Sequence, residues 1–391
     1  MRPLEGVTVV ALEQAVAAPL ATRHLADLGA RVITVERPGV GDFARSYDTT
    51  VNGMSSHFVW LNRSKESLTL HLKEPEAEQI LSRLLSRADV FVQNLAPGAA
   101  ARLSLGSDRL RQSYPALVVC NISGYGDSGP YRDKKAYDLL IQSEAGVVSV
   151  TGTDEDPCKV GISIADIAAG MYAYSGILTA LLCRQRTGHG AAVDVSMLEA
   201  LGEWMGYPAY YSHSGQAPPR TGASHAVIAP YGPFQSRDGK PVFLGVQNER
   251  EWERFCRLVL HRSELAADAR FESNTKRIAH RRELHTVIDD VLGRLAAGEI
   301  VERLDAAQIA NARMNTVQEF VEHPQLAARN RWQTVESPAG PLPALVPPVD
   351  IEGVEPSMGP IPSVGQHTDD ILGELGFDSA TVSKWRARGV I

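Results

Sequence analysis

Short apolar runs alternate with amphipathic stretches along the first part of the chain. The runs are rich in β-branched residues and predict four strands, at Val7–Leu12, Arg31–Glu36, Val90–Asn94 and Leu117–Asn121. Between them, apolar positions recur at helical spacing in Pro19–Leu28 and Glu74–Arg87. Strands that are apolar on both faces and alternate with helices are typical of a parallel sheet covered by helices. The sequence therefore predicts a Rossmann-like α/β opening.

Beyond residue 205 the pattern is different. Residues 206–240 are rich in Gly, Pro, Ser and Tyr and predict an irregular surface connection. A mostly helical unit is expected next, with one strand at Val242–Val246. Its predicted helices are Arg250–Leu260, His280–Leu295 and Gly298–Ala306. The proline-rich residues 337–362 predict an extended segment, which leads to two short helices near Thr368–Leu375 and Ser379–Arg388.

Composition narrows the class of protein. The chain has 391 residues, of which 44% are apolar and 22% charged, a balance typical of a folded soluble protein of two or three domains. Its net charge of −7 is unlike the basic surface of a general nucleic-acid binder, so we expect no nucleic-acid partner. The four cysteines stand far apart, which argues against a disulfide scaffold or a structural zinc site. The first apolar run is flanked by Glu5 and Glu13, unlike a signal peptide, so we expect a cytoplasmic protein.

One uncharged stretch, Ile167–Cys183, has to be weighed as a membrane span. It is shorter than the roughly 20 apolar residues that a span needs. It also contains Gly170, Ser175 and Gly176, small residues that let a helix pack closely inside a protein. We therefore expect a buried helix and no membrane partner.

A glycine motif, Gly124-Tyr-Gly-Asp-Ser-Gly129, matches G-x-G-x-x-G and follows a predicted strand. In a dinucleotide-binding fold such a motif opens a helix, whose N-terminus holds the pyrophosphate. Here Pro130 and the charged run Tyr131–Lys135 follow instead, so the motif predicts a loop and no NAD or FAD site. A flexible turn at a strand end can still contact a ligand, and a plain tight turn is the alternative.

Asp166 stands directly before the uncharged helix. An aspartate there can be an N-cap that accepts a backbone N–H bond. The same position can make it a nucleophile, because a helix N-terminus stabilises an ionised carboxylate beside apolar walls. Tyr137 and Asp138 begin a further predicted helix and are open to a solvated or a functional interpretation in the same way.

Basic residues lie near several predicted strand ends: Arg37, Arg63, Lys65, Lys73, Arg102 and Lys135. A ligand with several phosphates would need such residues from different loops. Surface cations are common, so the pattern alone does not separate a phosphate site from an ordinary surface. The sequence holds no H-E-x-x-H, G-x-S-x-G or Walker A motif.

These motifs resemble those of the family III CoA-transferases, the CaiB/BaiF group that includes formyl-CoA transferase and carnitine CoA-transferase. The similarity begins with LEGVTVVALEQAVAAPLATRHLADLGARVITVERPGVGD and continues through NRSKESLTLHLK, VFVQNLAPGAAARLSLG and SGYGDSGP. AYDLLIQSEAG, ISIADIAAG, RQRTGHGAAVDVSMLEA and GQHTDDILGELG follow in the family's order. The resemblance spans nearly the whole chain, and it is far more specific for the family than for a substrate.

The resemblance implies an acyl-CoA:carboxylate CoA-transferase in which Asp166 is the catalytic aspartate. Its carboxylate would attack a thioester to give an aspartyl anhydride, which the released thiolate would convert into an aspartyl-CoA thioester. CoA and acyl-CoA would be substrates, with no tightly bound cofactor and no metal. The turn at 124–129 is a candidate source of N–H donors for the oxyanions.

Carried over motif by motif, the resemblance also implies binding residues. The CoA contacts would be Val16, Ala17, Arg37, Leu70, Lys73, Asn94, Leu95, Arg102 and Lys135. The active-site wall would include Tyr137, Asp138, Gly124 and Gly126.

The family fold implies a Rossmann-like large domain with a parallel sheet, built from both chain ends, and a smaller, mostly helical α+β domain from the middle. The corresponding division is 1–205 for the N-terminal part of the large domain, 206–240 for a linker, 241–325 for the small domain, and 326–391 for a return linker and the C-terminal part of the large domain. Two chains interlock in this family, so the expected partners are a second copy, acyl-CoA and carboxylic acids.

Two departures bear on the substrate. Val16 stands where formyl-CoA transferase has a glutamine, and the poly-glycine loop of that enzyme is replaced by Thr221–His225 and Ile228–Tyr231. Formyl-CoA:oxalate transfer is therefore not expected.

The main alternative is a 2-methylacyl-CoA racemase, which resembles the chain throughout and uses a histidine in a Gly-His-Asp motif. The matching residues here are Ala136, Tyr137 and Asp138. A tyrosine, with a pKa of about 10, is a poor base at neutral pH, so the transferase is favoured. A CoA-binding protein without turnover is the third hypothesis.

Overall fold

The computed structural model describes residues 1–391, apart from the side chain of Ser214. Six parallel strands form the main sheet, in the order β3-β2-β1-β4-β5-β6. Their bounds are Thr8–Leu12 (β1), Arg31–Glu36 (β2), Lys65–Thr69 (β3), Val90–Gln93 (β4), Val118–Ser123 (β5) and Ala192–Ser196 (β6). The remaining strands are Tyr231–Gln235 (β7), Pro241–Gly245 (β8), Ala310–Arg313 (β9), Trp332–Val335 (β10) and Leu342–Leu345 (β11). The order of the main sheet is that of doubly wound α/β folds, which confirms the predicted α/β class.

Eighteen α-helices are present among the described residues. They are α1 (Ala17–Asp27), α2 (Ser56–Leu61), α3 (Pro75–Leu85), α4 (Ala99–Arg102), α5 (Ser107–Ser113), α6 (Asp138–Glu144), α7 (Val147–Val150), α8 (Ile164–Thr187), α9 (Met197–Trp204), α10 (Gly206–Tyr211), α11 (Glu249–Arg254), α12 (Asn274–Ala279), α13 (Arg281–Leu292), α14 (Ala297–Ala306), α15 (Val317–Val321), α16 (Pro324–Ala328), α17 (Thr368–Glu374) and α18 (Ser379–Ala387). Single turns of 3₁₀ helix lie at Phe43–Ser46, Ser212–Ser214 and Ser263–Ala267, and a π-helical turn lies at Phe255–Val259.

The apolar runs of the sequence become the inner strands of the main sheet. Each of the four predicted strands is present, as β1, β2, β4 and β5, and the helices predicted between them are α1 and α3. Two strands were not predicted. β3 begins with Lys65 and Glu66, and β6 contains Asp194, so neither is an unbroken apolar run. Both lie at the edges of the sheet.

Three other predictions from the sequence are wrong in part. The connection at 206–240 contains α10 and β7. In β7 the buried Gly232 and Phe234 alternate with the more exposed Tyr231, Pro233 and Gln235, the pattern of a half-buried strand. The segment 337–362 contains β11, which pairs with β10 in an antiparallel hairpin. The helix predicted at Arg250–Leu260 widens into a π-helical turn at Phe255, which brings Phe255, Cys256 and Val259 into one core.

The chain divides into two compact units. Unit 1 comprises residues 1–145, 160–206 and 326–391, and unit 2 comprises residues 146–159 and 207–325. The segment 146–159 lies within the predicted range 1–205, but in unit 2 Arg220 donates hydrogen bonds to the carbonyls of Ser149, Thr153 and Asp154. The division predicted from the sequence otherwise stays a prediction.

Unit 1 has a core to which both ends of the chain contribute. Val10, Ile33 and Phe91 of the sheet pack there with α3 and with the C-terminal helices α17 and α18. Val390 and Ile391 are buried in the same core. Outside it, α1 and α8 pack on each other and on the sheet.

The open edge of β3 is closed by residues 365–368, which we term the edge clamp. The backbone N–H of Ser67 donates to Nδ1 of His367 at 3.1 Å, and the N–H of His367 donates to the carbonyl of Ser67 at 3.0 Å. The N–H of Thr69 donates to Oγ1 of Thr368 at 3.0 Å. An edge strand with free N–H and C=O groups invites pairing with other chains, and the clamp occupies those groups.

Unit 1 also holds buried ion pairs. Asp27 accepts hydrogen bonds from the guanidinium groups of Arg23 and Arg63, and all three residues are at most 6% exposed. Lys65 donates to Glu13 at 2.6 Å, with both side chains fully buried. The interpretation of Arg63 and Lys65 as ligand-binding cations is therefore wrong, because neither reaches the surface.

The long helix α8 is the one helix among the described residues that is long and apolar enough to cross a membrane, and 44% of its most apolar window is buried in the fold. The core helix of a soluble protein meets the same criteria, so this is weak evidence for a span. Helix α8 packs closely on α1 at Gly170. A Cβ at this position would lie 2.7 Å from the carbonyl oxygen of Ala17 in α1, so only glycine allows the two helices to come this close.

Candidate active site

The loops that follow β1 and β4 are tied together at the carboxyl edge of the main sheet. Oδ1 of Asn94 accepts a hydrogen bond from the N–H of Gln14 at 2.8 Å, and Nδ2 of Asn94 donates to the carbonyl of Gln14 at 2.9 Å. β1 and β4 are neighbours, and the strand order reverses between them. Ligands of open α/β sheets bind at such a switch point. Four of the candidate CoA contacts, Val16, Ala17, Asn94 and Leu95, lie in or next to these two loops.

The start of α1 brings this edge next to α8. Val16 is 3% exposed and packs with Leu20, Leu61 and Ile167, the residue after Asp166. The preceding Ala15 has a left-handed φ of 59°, and its N–H donates to Oδ2 of Asp42 at 3.0 Å. The loop before α1 is thus held in one conformation. The buried side chain of Val16 presents no polar group.

Asp166 is half-buried in the first turn of α8. The prediction that Asp166 stands directly before the helix is wrong, since α8 begins at Ile164. Of its two interpretations, the N-cap is excluded, because Ser163 is the N-cap residue. The cap comes from another helix. Oδ1 of Asp138 accepts hydrogen bonds from the N–H groups of Ala165 at 2.8 Å and Asp166 at 3.3 Å.

The surroundings of Asp166 favour its protonated form more than water does. Burial raises the pKa of Asp166 to about 7, and the negative charge of Asp138 adds to this effect. A carboxylate of this basicity is largely ionised at pH values above 7 and is a stronger nucleophile than an exposed aspartate.

Two further residues of this region were not found from the sequence. Burial raises the pKa of Tyr47 to about 12, and the charges of Asp42 and Asp166 add to this effect, so Tyr47 is within electrostatic reach of Asp166. Burial likewise raises the pKa of Asp42 to about 6, although N–H donors from Ala44 and Ala15 oppose the shift. The sequence signal was weak, since Asp42 shows only as the cap of a short 3₁₀ turn. The predicted wall residue Tyr137 is 68% exposed.

The glycine turn after β5 is a loop, as predicted. A Cβ on Gly124 would lie 2.2 Å from Cβ of Ala136, so Gly124 lets the strand end approach the segment before α6. The N–H of Gly126 donates to Oγ of Ser123 at 3.0 Å. Because this N–H is engaged within the turn, Gly126 is not a free donor for an oxyanion in this conformation.

Four of the CoA contacts implied by the resemblance are cations; all four are exposed and follow strands of the main sheet. Arg37 comes directly after β2, Lys73 follows β3, Arg102 follows β4 and Lys135 follows β5. Within the described residues none of the four forms an ion pair, whereas Arg31, Arg45 and Arg184 are all paired. Because carboxyl ends of parallel strands meet at one edge, we expect these cations near the edge that also carries Asn94.

The apolar candidates are less accessible. Leu70 is 1% exposed and lies in the core of unit 1, so only its backbone can reach a ligand. Leu95 packs against the same core, and its N–H donates to Oε1 of Gln93. Contact of these residues with CoA stays a prediction. Among the described residues, no group of three or more His, Cys, Asp or Glu side chains could hold a metal ion.

Comparison with known proteins identifies the class to which this geometry belongs. The profile of CoA-transferase family III matches residues 4–368, so the chain belongs to this family and the resemblance seen in the sequence is confirmed. The protein is a CoA-transferase.

Two curated relatives and one solved structure are particularly similar. The succinyl-CoA:glutarate CoA-transferase of Mus musculus is 32% identical over 397 residues, which cover 100% of this chain and 91% of the relative. The acetyl-CoA:oxalate CoA-transferase of Acetobacter aceti is 34% identical over 331 residues, covering 84% and 85%. The crystal structure of a CaiB/BaiF family protein from Brucella suis superposes with a TM-score of 0.84 at 30% identity, covering 96% of this chain and 99% of that one.

Proposed function

We propose that the protein transfers CoA between carboxylic acids, with Asp166 as the covalent nucleophile. The observation that carries this proposal is the half-buried carboxylate of Asp166 in the first turn of α8, with its pKa raised to about 7. Within the described residues no donor forms a hydrogen bond to the carboxylate oxygens of Asp166, so this half-buried carboxylate is available to attack.

The reaction would proceed through four exchanges at carbonyl carbons. A carboxylate oxygen of Asp166 attacks the donor thioester, the C–S bond breaks, and CoA leaves as a thiolate. The thiolate then attacks Cγ of Asp166, releasing the donor acid as a carboxylate and leaving an aspartyl-CoA thioester. An acceptor carboxylate attacks that thioester, and the freed thiolate attacks the acceptor's acyl carbon. One thioester replaces another, so no net proton and no nucleotide is consumed.

We propose a succinyl-CoA donor and a dicarboxylic acid acceptor such as glutarate. The support is similarity: the mouse relative is named for this pair, and a succinate–glutarate CoA-transferase of Agrobacterium fabrum is 31% identical over 384 residues. Val16 offers no polar group to an oxalate-like acid, which favours a larger acceptor over oxalate.

We also propose that two chains interlock into a homodimer in the cytoplasm. Apolar and small residues on one side of α8 support a partner there: Met171, Tyr172 and Leu182 are exposed on a helix whose middle carries no charge. Apolar side chains exposed along one helix face are typical of a protein interface.

CoA binding can be tested at the exposed cations. Lys73→Ala and Lys135→Ala are each expected to raise KM for acyl-CoA roughly tenfold, with a smaller change in kcat, because a lost charge-assisted bond to phosphate weakens substrate and transition state alike. The effect should shrink at high salt. Steady-state kinetics at two ionic strengths measure it.

The matched control is Arg111→Ala. Arg111 is also exposed, but it lies in the last turn of α5, before the start of β5 and so toward the opposite edge of the sheet. Its KM should equal that of the wild type. An unchanged KM in both lysine variants would contradict the proposed phosphate contacts.

The covalent mechanism is tested by trapping. Incubation with a panel of acyl-CoAs, succinyl-CoA first, followed by hydroxylamine, should leave a hydroxamate on the peptide that contains Asp166, since hydroxylamine cleaves anhydrides and thioesters. Peptide mass spectrometry locates the label. Transfer of CoA without any label at Asp166 would refute the mechanism, and exchange of the α-proton without CoA transfer would indicate racemase chemistry instead.

A further inference from the structure

The N-terminus of α8 is capped by a residue of a different helix. Among the described residues, the side chain of Ser163 accepts no capping hydrogen bond, and Oδ1 of Asp138 accepts the N–H groups of Ala165 and Asp166 instead. The first N–H groups of a helix need such an acceptor. Asp138 is the first residue of α6, so α6 and α8 are joined at the backbone of the nucleophile itself.

A buried glutamine holds Asp138 in this position. Nε2 of Gln142, one turn further along α6, donates to Oδ2 of Asp138 at 2.7 Å. Its Oε1 accepts the N–H of Val160 at 2.9 Å, and Gln142 is 0% exposed. Among the described residues, every hydrogen-bond partner of the Asp138 carboxylate is a donor, as suits an ionised acceptor. The carboxylate therefore has little freedom to turn away from α8.

The cap also determines the charge that Asp166 meets. The positive end of a helix normally stabilises an anion in its first turn. Here Asp138 already occupies the N–H groups. Burial raises the pKa of Asp166, and the negative charge of Asp138 adds to that effect.

The other charged groups around Asp166 in unit 1 are few. Tyr47 is within electrostatic reach of Asp166, and Asp42 and Tyr137 are within reach of Tyr47. The nearby end of α1 is uncharged, with Arg23 and Asp27 paired further along. The acids of α9, which packs against α6 and α8, are exposed: they are Glu199 and Glu203.

We propose that Asp138 is a positioning residue for the nucleophile: it fixes the backbone of Asp166 by capping α8, and its charge, added to the effect of burial, moves the acid limb of the rate–pH profile toward higher pH. This role differs from the wall residue implied by the family resemblance. It rests on the proposed function of Asp166. The specific expectation is that Asp138 acts through Asp166 and not through contact with the acyl group.

The test compares Asp138→Asn with the wild type over pH 5 to 9. In the wild type, transfer should fall as pH drops below about 7, because protonated Asp166 cannot attack. Asp138→Asn keeps an acceptor oxygen but removes the charge, so the acid limb should move by about one pH unit toward lower pH. Both kcat/KM and the rate of hydroxamate formation at Asp166 report the limb.

Two further variants separate charge from position. Asp138→Glu keeps the negative charge but lengthens the side chain by one methylene group, which displaces the carboxylate that caps α8. Its acid limb should therefore stay at the wild-type pH, while kcat falls by up to about 100-fold. Asp378→Asn is the matched control, because Asp378 caps α18 through the N–H of Thr381 at 2.8 Å. It should lower thermal stability without altering the profile.

The outcomes are distinct. An acid limb at the same pH in the wild type and in Asp138→Asn would overturn the charge role, and wild-type kcat in Asp138→Glu would overturn the positioning role. If Asp138→Asn does not fold, Asp138→Glu still decides the second point. Failure of the proposed function would show earlier, as a wild-type protein that transfers CoA without a label on Asp166.

Discussion

Asp166→Ala is expected to abolish CoA transfer, with a loss of about 10³-fold or more in kcat, as for a removed covalent nucleophile. Without the carboxylate there is no oxygen to form the anhydride, and the pocket alone cannot carry the acyl group. Folding should be preserved, because the backbone N–H of residue 166 still donates to Asp138. Acyl-CoA binding should also be preserved, since the predicted phosphate contacts lie on other loops. CoA exchange between isotopically labelled acids measures the rate, and calorimetry measures binding.

The control for this variant is Asp108→Ala. Asp108 is likewise an aspartate in the first turn of a helix, α5. Unlike Asp166 it is exposed, and its helix lies between β4 and β5, not at the proposed site. Its transfer rate should remain that of the wild type. Transfer by Asp166→Ala at a near wild-type rate would refute the covalent mechanism, and loss of both transfer and acyl-CoA binding would indicate a structural role instead.

Asp27→Asn is expected to produce the largest loss of stability. The substitution keeps the shape of the side chain but leaves the guanidinium groups of Arg23 and Arg63 buried without a counter-charge. Breaking one partner of a buried ion pair costs about 3–5 kcal/mol. We expect this decrease in the free energy of unfolding of unit 1. Urea titration followed by hydrogen exchange on peptides of β2 and β3 measures it.

Asp369→Asn provides the comparison. Asp369 also accepts from a guanidinium, that of Arg386 at 2.5 Å, but the two side chains are 63% and 51% exposed. An exposed pair contributes less than about 1 kcal/mol, so this variant should be nearly neutral. Equal losses in the two variants would show that burial does not control the cost.

The inner strands could be predicted because their unbroken apolar sequences indicate burial on both faces of the sheet. β1, β4 and β5 are apolar on both faces, and only a strand covered on both sides fits such a run. β3 could not be found in this way. Lys65 is of a residue type that usually lies on the surface, yet its side chain is fully buried. Its ammonium group donates a hydrogen bond to Glu13, fifty-two positions away, and this ion pair makes the burial possible. A pairing over that distance has no local signature.

The site shows the same limit. Asp166 was identified as a candidate from its place beside an uncharged helix, and the family resemblance then singled it out. Its predicted position relative to the helix was wrong. The acceptor that caps the first N–H groups of α8 is Asp138, which lies 28 residues before Asp166 in the sequence. The four exposed cations could be located near strand ends, but only the fold separates them from Arg63 and Lys65, which have the same charge and opposite surroundings.

The edge clamp has a consequence for synthesis on the ribosome. Thr69 and its partner Thr368 are 299 positions apart. At roughly 5–20 residues per second, β3 waits about 15–60 s between its own emergence and that of the segment that satisfies its edge. During this interval the nascent sheet can pair with a neighbouring nascent chain, and each polysome makes many copies close together. Until the edge clamp emerges, the β3 edge of this chain is therefore open to such pairing.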